Sequence, residues 1–221
     1  MKVLFTHSYF LRFDPKQWEL QMPYPPLGTI YAAALLRENG HEVALFDSMF
    51  AHGAKEVLPY LDDFQPDVLV IYDDGFNYLT KMCLTNMREA AFEMSQFARE
   101  RGCKVVCCSS DSTDHFEKYI AHGANAVIRG EGEMGLLELV QKWEHGQNDL
   151  ENVLGIAYPS DGGISETRKR PVLRDVDSLP PPAWDLINIA PYQKAWSDKG
   201  YFSINMATTR GCPYKCNWCA K

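Results

Sequence analysis

The sequence has no apolar run of the about 20 residues that a membrane-spanning helix requires, so none of its 221 residues is expected to cross a bilayer. A secretory leader is missing too. The opening stretch MKVLFTHSYF is short and is followed at once by polar residues, without a long apolar core or a small-residue cleavage site, and reads instead as a first β-strand. Basic clusters are scarce: net charge is −7, and the longest basic run, Arg168-Lys169-Arg170, reads as a solvated loop. Direct nucleic-acid binding is therefore not expected. There is no internal repeat and no low-complexity segment. Hydrophobic residues make up 46% and charged residues 23% of the chain, an ordinary globular balance. Together these features predict a cytoplasmic protein.

Cysteine is present in an odd number, seven, and without an export signal disulfides are not expected. Cys83, Cys103, Cys107 and Cys108 lie in apolar surroundings and read as small buried hydrophobes. Met82, Met87 and Met94, at near-helical spacing, read as core in the same way. Cys212, Cys216 and Cys219 are different, because they crowd into one short stretch.

Over roughly the first 145 residues, short apolar runs alternate with amphipathic helical patterns. Strands are predicted over 3–6, 42–46, 67–72, 104–108 and 126–129, rich in Val, Ile, Leu and Cys, as strands buried on both faces should be. Between them, Leu27, Ile30, Tyr31, Ala34 and Leu35 form one apolar stripe. Met87 to Ala98, Phe116 to Ile120 and Leu136 to Trp143 form others, and 54–61 is the weakest crossover. Five βα units with right-handed crossovers predict an α/β fold: a doubly wound, five-stranded parallel sheet in the order 2-1-3-4-5, flavodoxin-like or Rossmann-like. Such sheets bind ligands beyond the carboxyl ends of the strands. That rim would carry His7, Asp47, Asp73, Gly75, Phe76, Asn77, Ser109, Ser110 and the turn Gly130-Glu131-Gly132-Glu133. After about 150, two runs flanking Pro159-Ser160-Asp161-Gly162-Gly163 read as a hairpin, the Pro180-Pro181-Pro182 triplet as a stiff connector, and 202–208 as a last strand. The predicted organisation is a Rossmann-like domain over 1–147, hairpin and linker over 148–200, and the start of a further domain over 201–221.

The strongest chemical signal is Cys212-Pro213-Tyr214-Lys215-Cys216-Asn217-Trp218-Cys219, a CxxxCxxC. Three thiolates can hold three irons of a [4Fe–4S] cube and leave the fourth iron open. A structural zinc site would want a fourth ligand and CxxC spacing. With Thr208-Thr209-Arg210-Gly211 ahead of it, this stretch resembles the signature of the radical S-adenosylmethionine superfamily. The resemblance implies that Cys212, Cys216 and Cys219 ligate the cluster, that S-adenosylmethionine binds the open iron and is split to a 5′-deoxyadenosyl radical, and that Trp218 lies by the cluster and the adenine. It also implies an external electron donor and a (β/α) barrel whose first strand and cluster loop stand here truncated.

A second set supports the first. Pro25-Pro26-Leu27-Gly28 opens a helix, Asp47 follows the second strand, and Gly130-Glu131-Gly132-Glu133 follows the fifth. This set, with the Leu179-Pro180-Pro181-Pro182-Ala183-Trp184 linker, resembles the cobalamin-binding domain found ahead of many radical S-adenosylmethionine barrels. Residue chemistry agrees: Gly28 permits close approach of a ligand to a helix N-terminus. Glu131 and Glu133 read equally as helix-capping acids. The DxHxxG motif that supplies a cobalt-ligating histidine in many cobalamin domains is absent. His7 is the only histidine on the rim, as a corrin contact or a loop hydrogen-bonding group. The implied function is a radical enzyme, most simply a methyltransferase acting on an unactivated carbon or phosphorus centre. The alternative is a cofactor-holding or scaffold module without chemistry of its own. The length after Cys219 is too short for a barrel, so a fragment of a longer protein, or an early stop, is expected, with this piece alone inactive and holding its cluster poorly.

Overall fold

The computed structural model describes residues 1–73, 75, 85–211 and 214. Five of its strands are parallel: β1 (Lys2–Thr6), β2 (Glu42–Phe46), β3 (Val68–Tyr72), β4 (Lys104–Cys108) and β5 (Ala126–Ile128). They lie in the order β2-β1-β3-β4-β5, as the alternation of elements predicts. Successive side chains point to opposite faces, and both faces are covered. On one, Val3, Phe5, Val68, Val70, Val106 and Cys108 meet helices α2 (Leu27–Glu38) and α7 (Glu133–Glu144). On the other, Leu4, Leu69, Ile71, Val105 and Cys107 meet α3 (Leu58–Phe64) and α4 (Thr85–Glu100). Every residue of β3 is buried, which is why its sequence, VLVIY, carries no polar alternation.

The sheet does not end at five strands. Among the described residues it has seven and is mixed: β6 (Ile156–Ser160) runs antiparallel to β5, and β7 (Gly163–Glu166) antiparallel to β6. The hairpin foreseen around Asp161-Gly162 is thus part of the sheet. The reason is that β5, left alone, would present an unpaired row of backbone donors and acceptors. Val153 and Ile156 also fill the α7 face of the core. The segment expected as hairpin and linker supplies two strands and a helix, α8 (Ala190–Trp196).

The strand predicted over 202–208 is not a strand. Its residues alternate in exposure, with Phe202, Ile204 and Met206 outward, but no described segment offers it a ladder partner. Three short helices were not foreseen: α1 (Pro15–Leu20), α5 (Ser110–Asp114) and α8. The short stripe from Phe116 is α6 (Phe116–Ala121). Cys103, Cys107 and Cys108 are buried free thiols, and burial pushes the Cys107 thiol up to about 12. Met87 and Met94 are core residues; Cys83 and Met82 lie outside the described residues. No described helix is long and apolar enough to cross a membrane.

Candidate functional site

The carboxyl ends of the parallel strands form one rim, and the residues that follow each strand meet there. Beyond β1, His7 is 1% exposed, and both ring nitrogens have protein partners. Nε2–H donates to Asp47 Oδ1 at 2.9 Å, since a carboxylate oxygen only accepts. Nδ1 lies 3.2 Å from Ser48 Oγ, and that hydroxyl donates to the His7 carbonyl at 2.7 Å. The other Asp47 oxygen accepts from the Tyr192 hydroxyl of α8 at 2.7 Å. Tyr192 is fully buried with Tyr9, Leu11, Met49 and Met87, so α8 roofs the β1–β2 side of the rim.

Beyond β3, Asp73 is buried. Its two oxygens accept from the Ser8 backbone N–H (2.6 Å) and hydroxyl (2.9 Å). Burial pushes its pKa above the usual carboxylate range, and the two bonds from Ser8 oppose that rise. Asp73 therefore ties the loop after β1 to the loop after β3. Gly75 is exposed, while Phe76 and Asn77 lie outside the described residues.

At β4, Ser109 caps α5 in a reciprocal pair with Ser112 (2.8 and 2.9 Å), and Ser110 is exposed. The next turn carries Asp111, which takes two bonds from the Arg88 guanidinium, one of them 2.7 Å long, and one from the Tyr119 hydroxyl at 2.8 Å. Burial pushes Asp111 up, but these donors outweigh it and hold the carboxyl below its ordinary value. A depressed carboxylate contributes stability that is present above the unfolded-state pKa and is lost as pH falls through the folded value. Arg88→Met is accordingly expected to cost about 2 kcal/mol at pH 7, with the gap shrinking below about pH 4. Urea midpoints of both proteins at the two pH values check this, and a gap that persists unchanged in acid would refute it.

Facing these loops is the first turn of α2. Pro26 precedes the helix, and Leu27 and Gly28 are buried in its opening turn. Thr29 donates to the Tyr72 carbonyl at 2.6 Å and so ties the turn to β3. Beyond β5 comes Gly130, at φ +105°, a conformation that favours glycine, and then Glu131, Gly132 and Glu133. Gly132 has no room for a side chain: a Cβ would lie 2.6 Å from Tyr72 Cε2 and 2.7 Å from Cys108 Sγ. Glu131 accepts from the Leu173 N–H at 2.8 Å. Glu133 accepts from Arg210 at 2.7 Å, the two side chains being 6% and 15% exposed. The carboxylates read from the sequence as ligand contacts or helix caps thus have downstream protein partners.

The structure brings His7, Asp47 and Asp73 into hydrogen-bonded clusters and leaves Gly75, Ser110 and Gly130 exposed. Tyr192 and Arg210 were not foreseen in the site. For Tyr192 a signal existed, in Pro191-Tyr192 followed four residues later by Trp196, a proline-started apolar turn. The Trp196 indole donates to the Pro23 carbonyl at 2.8 Å. Among the described residues no group of three His, Cys, Asp or Glu is placed to hold a metal. Cys212, Cys216, Cys219 and Trp218 lie outside the described residues.

No family model matches the chain. Among curated proteins it is 28% identical, over 89% of its length, to an uncharacterised methyltransferase of Pyrococcus horikoshii and to the anaerobic magnesium-protoporphyrin IX monomethyl ester cyclase of Synechocystis. It covers 40% and 38% of those proteins. It is also 24% identical, over 88% of its length, to cytidylyl-2-hydroxyethylphosphonate methyltransferase of Streptomyces wedmorensis, of which it covers 43%. The chain thus spans about two fifths of the length of these relatives. Among solved structures, OxsB, a cobalamin-dependent S-adenosylmethionine radical enzyme with aqua-cobalamin and S-adenosylmethionine bound, superposes with a TM-score of 0.71. That match has 20% identity over 99% of this chain and 28% of OxsB. The radical S-adenosylmethionine methyltransferase TsrM of Kitasatospora setae, with cobalamin and a [4Fe–4S] cluster bound, gives a TM-score of 0.61 at 18% identity, over 81% of this chain and 31% of TsrM. At such identities the solved structures speak for the fold. In fold the chain is similar to two solved cobalamin-dependent radical S-adenosylmethionine enzymes, and in sequence to proteins named as methyltransferases and a cyclase.

Proposed function

We propose that this chain is the cofactor-holding part of a radical S-adenosylmethionine enzyme that binds cobalamin on the rim of the sheet and a [4Fe–4S] cluster at Cys212, Cys216 and Cys219. The observation that carries the reading is the course of the chain just before those cysteines. Asn205 donates to the Pro25 carbonyl at 3.0 Å, Ala207 packs on Leu27, Ile30 and Ala34, and Arg210 pairs with Glu133. The stem of the cysteine loop is therefore laid across the rim, where a cofactor on the sheet and a cluster on the loop would be neighbours.

The rim residues suit cobalamin. An added Cβ at Gly75 or Gly130 would meet no described atom within 4 Å, and both glycines and Ser110 are exposed, which leaves these three positions available to a ligand on the rim. On the other side, His7 is held by Asp47 and Ser48, which fits cobalt without an imidazole ligand. When bound, the cluster supplies the electron for S-adenosylmethionine cleavage and the cobalamin a carrier for the methyl group. The residues of this chain bind and orient those groups; Trp218 would flank the adenine. We assign 1–147 to the cobalamin domain, 148–200 to hairpin and linker, and 201–221 to the start of the radical domain. For the whole protein, the methyltransferases among its relatives favour methyl transfer to an unactivated centre. The cyclases of the same name in Synechocystis and Rubrivivax gelatinosus favour a second reading, radical ring closure.

The test is titration with hydroxocobalamin, followed by its electronic spectrum. Saturable binding without a histidine nitrogen on cobalt is expected. A histidine-ligated spectrum, with nitrogen from His7 or His52 on cobalt, would refute this, and no binding at all would favour the scaffold alternative.

A further inference from the structure

The Gly130–Glu133 turn invites a ligand-contact reading, but the geometry gives its side chains other work. Gly132 is packed against Tyr72 at the end of β3 and Cys108 at the end of β4, so the turn is seated on the sheet. From that fixed base the flanking glutamates reach the downstream chain at two points: the Leu173 N–H, and Arg210, two positions before Cys212. The Glu133–Arg210 pair is largely withdrawn from water, where its attraction is least screened. Glu133 also sits in the first turn of α7, whose dipole favours a negative charge. The Arg210 guanidinium lies 5.7 Å from the centre of the Tyr31 ring on α2. The segment 205–210 is thus held from α2 and α7 together, the two helices on one face of the sheet.

We propose that the Glu131-Gly132-Glu133 turn is a clamp, and that Glu133, through Arg210, is a positioning residue that sets where the cysteine loop stands relative to the rim. The meaning of that position rests on the proposed function, since only with cluster and cobalamin bound does it become a distance between two cofactors. The clamp itself does not depend on either cofactor.

Two measurements separate these levels. In the 221-residue chain, hydrogen exchange is followed in the peptide covering 203–211. Glu133→Gln and Arg210→Met are each expected to speed exchange there about tenfold, the loss of one charge-assisted bond to a buried partner. The double variant should be no faster than either single one, because both break the same contact. Exchange in β1, β3 and β4 should stay as in the wild type. Glu138→Gln, which breaks the separate pair with Arg170, should leave 203–211 unchanged. Unaltered exchange in Glu133→Gln, or a general rise across the sheet, would overturn the clamp. In the intact protein loaded with cluster and cobalamin, the magnetic interaction between reduced cluster and cobalt(II) is then read by electron paramagnetic resonance. A single resolved splitting in the wild type that broadens in Glu133→Gln, at equal iron and cobalt content, supports positioning. An identical splitting in both overturns it. A wild type that takes up neither cofactor would sink the proposed function, while the exchange data still decide the clamp.

Discussion

Replacing Cys216 by Ala in the intact protein is expected to abolish S-adenosylmethionine cleavage and to leave less than a full cluster, and Cys212→Ala and Cys219→Ala should do the same. Three thiolates serve three irons, so no spare ligand exists to take over when one is lost. The fourth iron takes no protein ligand and stays open for S-adenosylmethionine. Cys103→Ala and Cys107→Ala should keep cleavage intact. Those two thiols are buried in the core, and burial raises the pKa of both, which disfavours the thiolate form that metals bind. Iron and sulfide analysis after anaerobic reconstitution, with detection of 5′-deoxyadenosine, checks the contrast. Full cleavage in Cys216→Ala would defeat the ligand assignment, as would a stoichiometric zinc in the native protein.

Gly132→Ala is expected to destabilise the fold by about 2–3 kcal/mol, although its backbone, at φ −94° and ψ −28°, suits any residue. The cost is one of space. The new methyl would meet Tyr72 Cε2 and hydroxyl at 2.6 Å and Cys108 Sγ at 2.7 Å, and Tyr72 is itself 6% exposed in the main core. A buried ring cannot swing aside without displacing its neighbours. Cys108→Ala removes one of those obstacles and gives the ring room to shift, so the double variant should regain part of the loss. Gly162→Ala, at the hairpin turn with nothing within 4 Å, serves as a control expected within about 0.5 kcal/mol of wild type. Urea midpoints of the four proteins settle the matter: Gly132→Ala matching the control would show that the turn is not wedged.

What the sequence made legible follows from range. The order of the five parallel strands could be read because each buried strand announces itself locally, as VLVIY and KVVCC do, and handedness does the rest. The hairpin at Asp161-Gly162 was also a local signal. Its docking on β5 was not, because nothing within a hairpin says which sheet edge it will meet. The segment 202–208 shows the converse error, since strand-like alternation is no strand without a neighbour. In the site, topology places Asp47, Asp73 and Glu133 at the carboxyl edge, but their partners lie far off in the chain. Glu133 and Arg210 are 77 positions apart, and Tyr192 and Asp47 are 145 apart. Such pairs leave no periodicity to read. Glu131 and Glu133, read from the sequence as ligand contacts or helix-capping acids, also bond distant parts of the protein's own chain, which no local motif announces.

The antiparallel pair that completes the sheet also decides where this protein can safely be cut. A piece ending near 147 would keep the parallel strands but strip β5 of its partner and take Val153 and Ile156 out of the core. A three-residue strand with a bare apolar flank would then become an open seam, ready to recruit a second molecule and precipitate. With the hairpin in place the outermost strand is β7, GISE, four residues long and ending on Glu166, which is paired with Arg129. A short, charged outer strand of that kind gives a neighbouring molecule little to add to. The hairpin therefore acts as a selvedge: any workable excision of the sheet must carry it along.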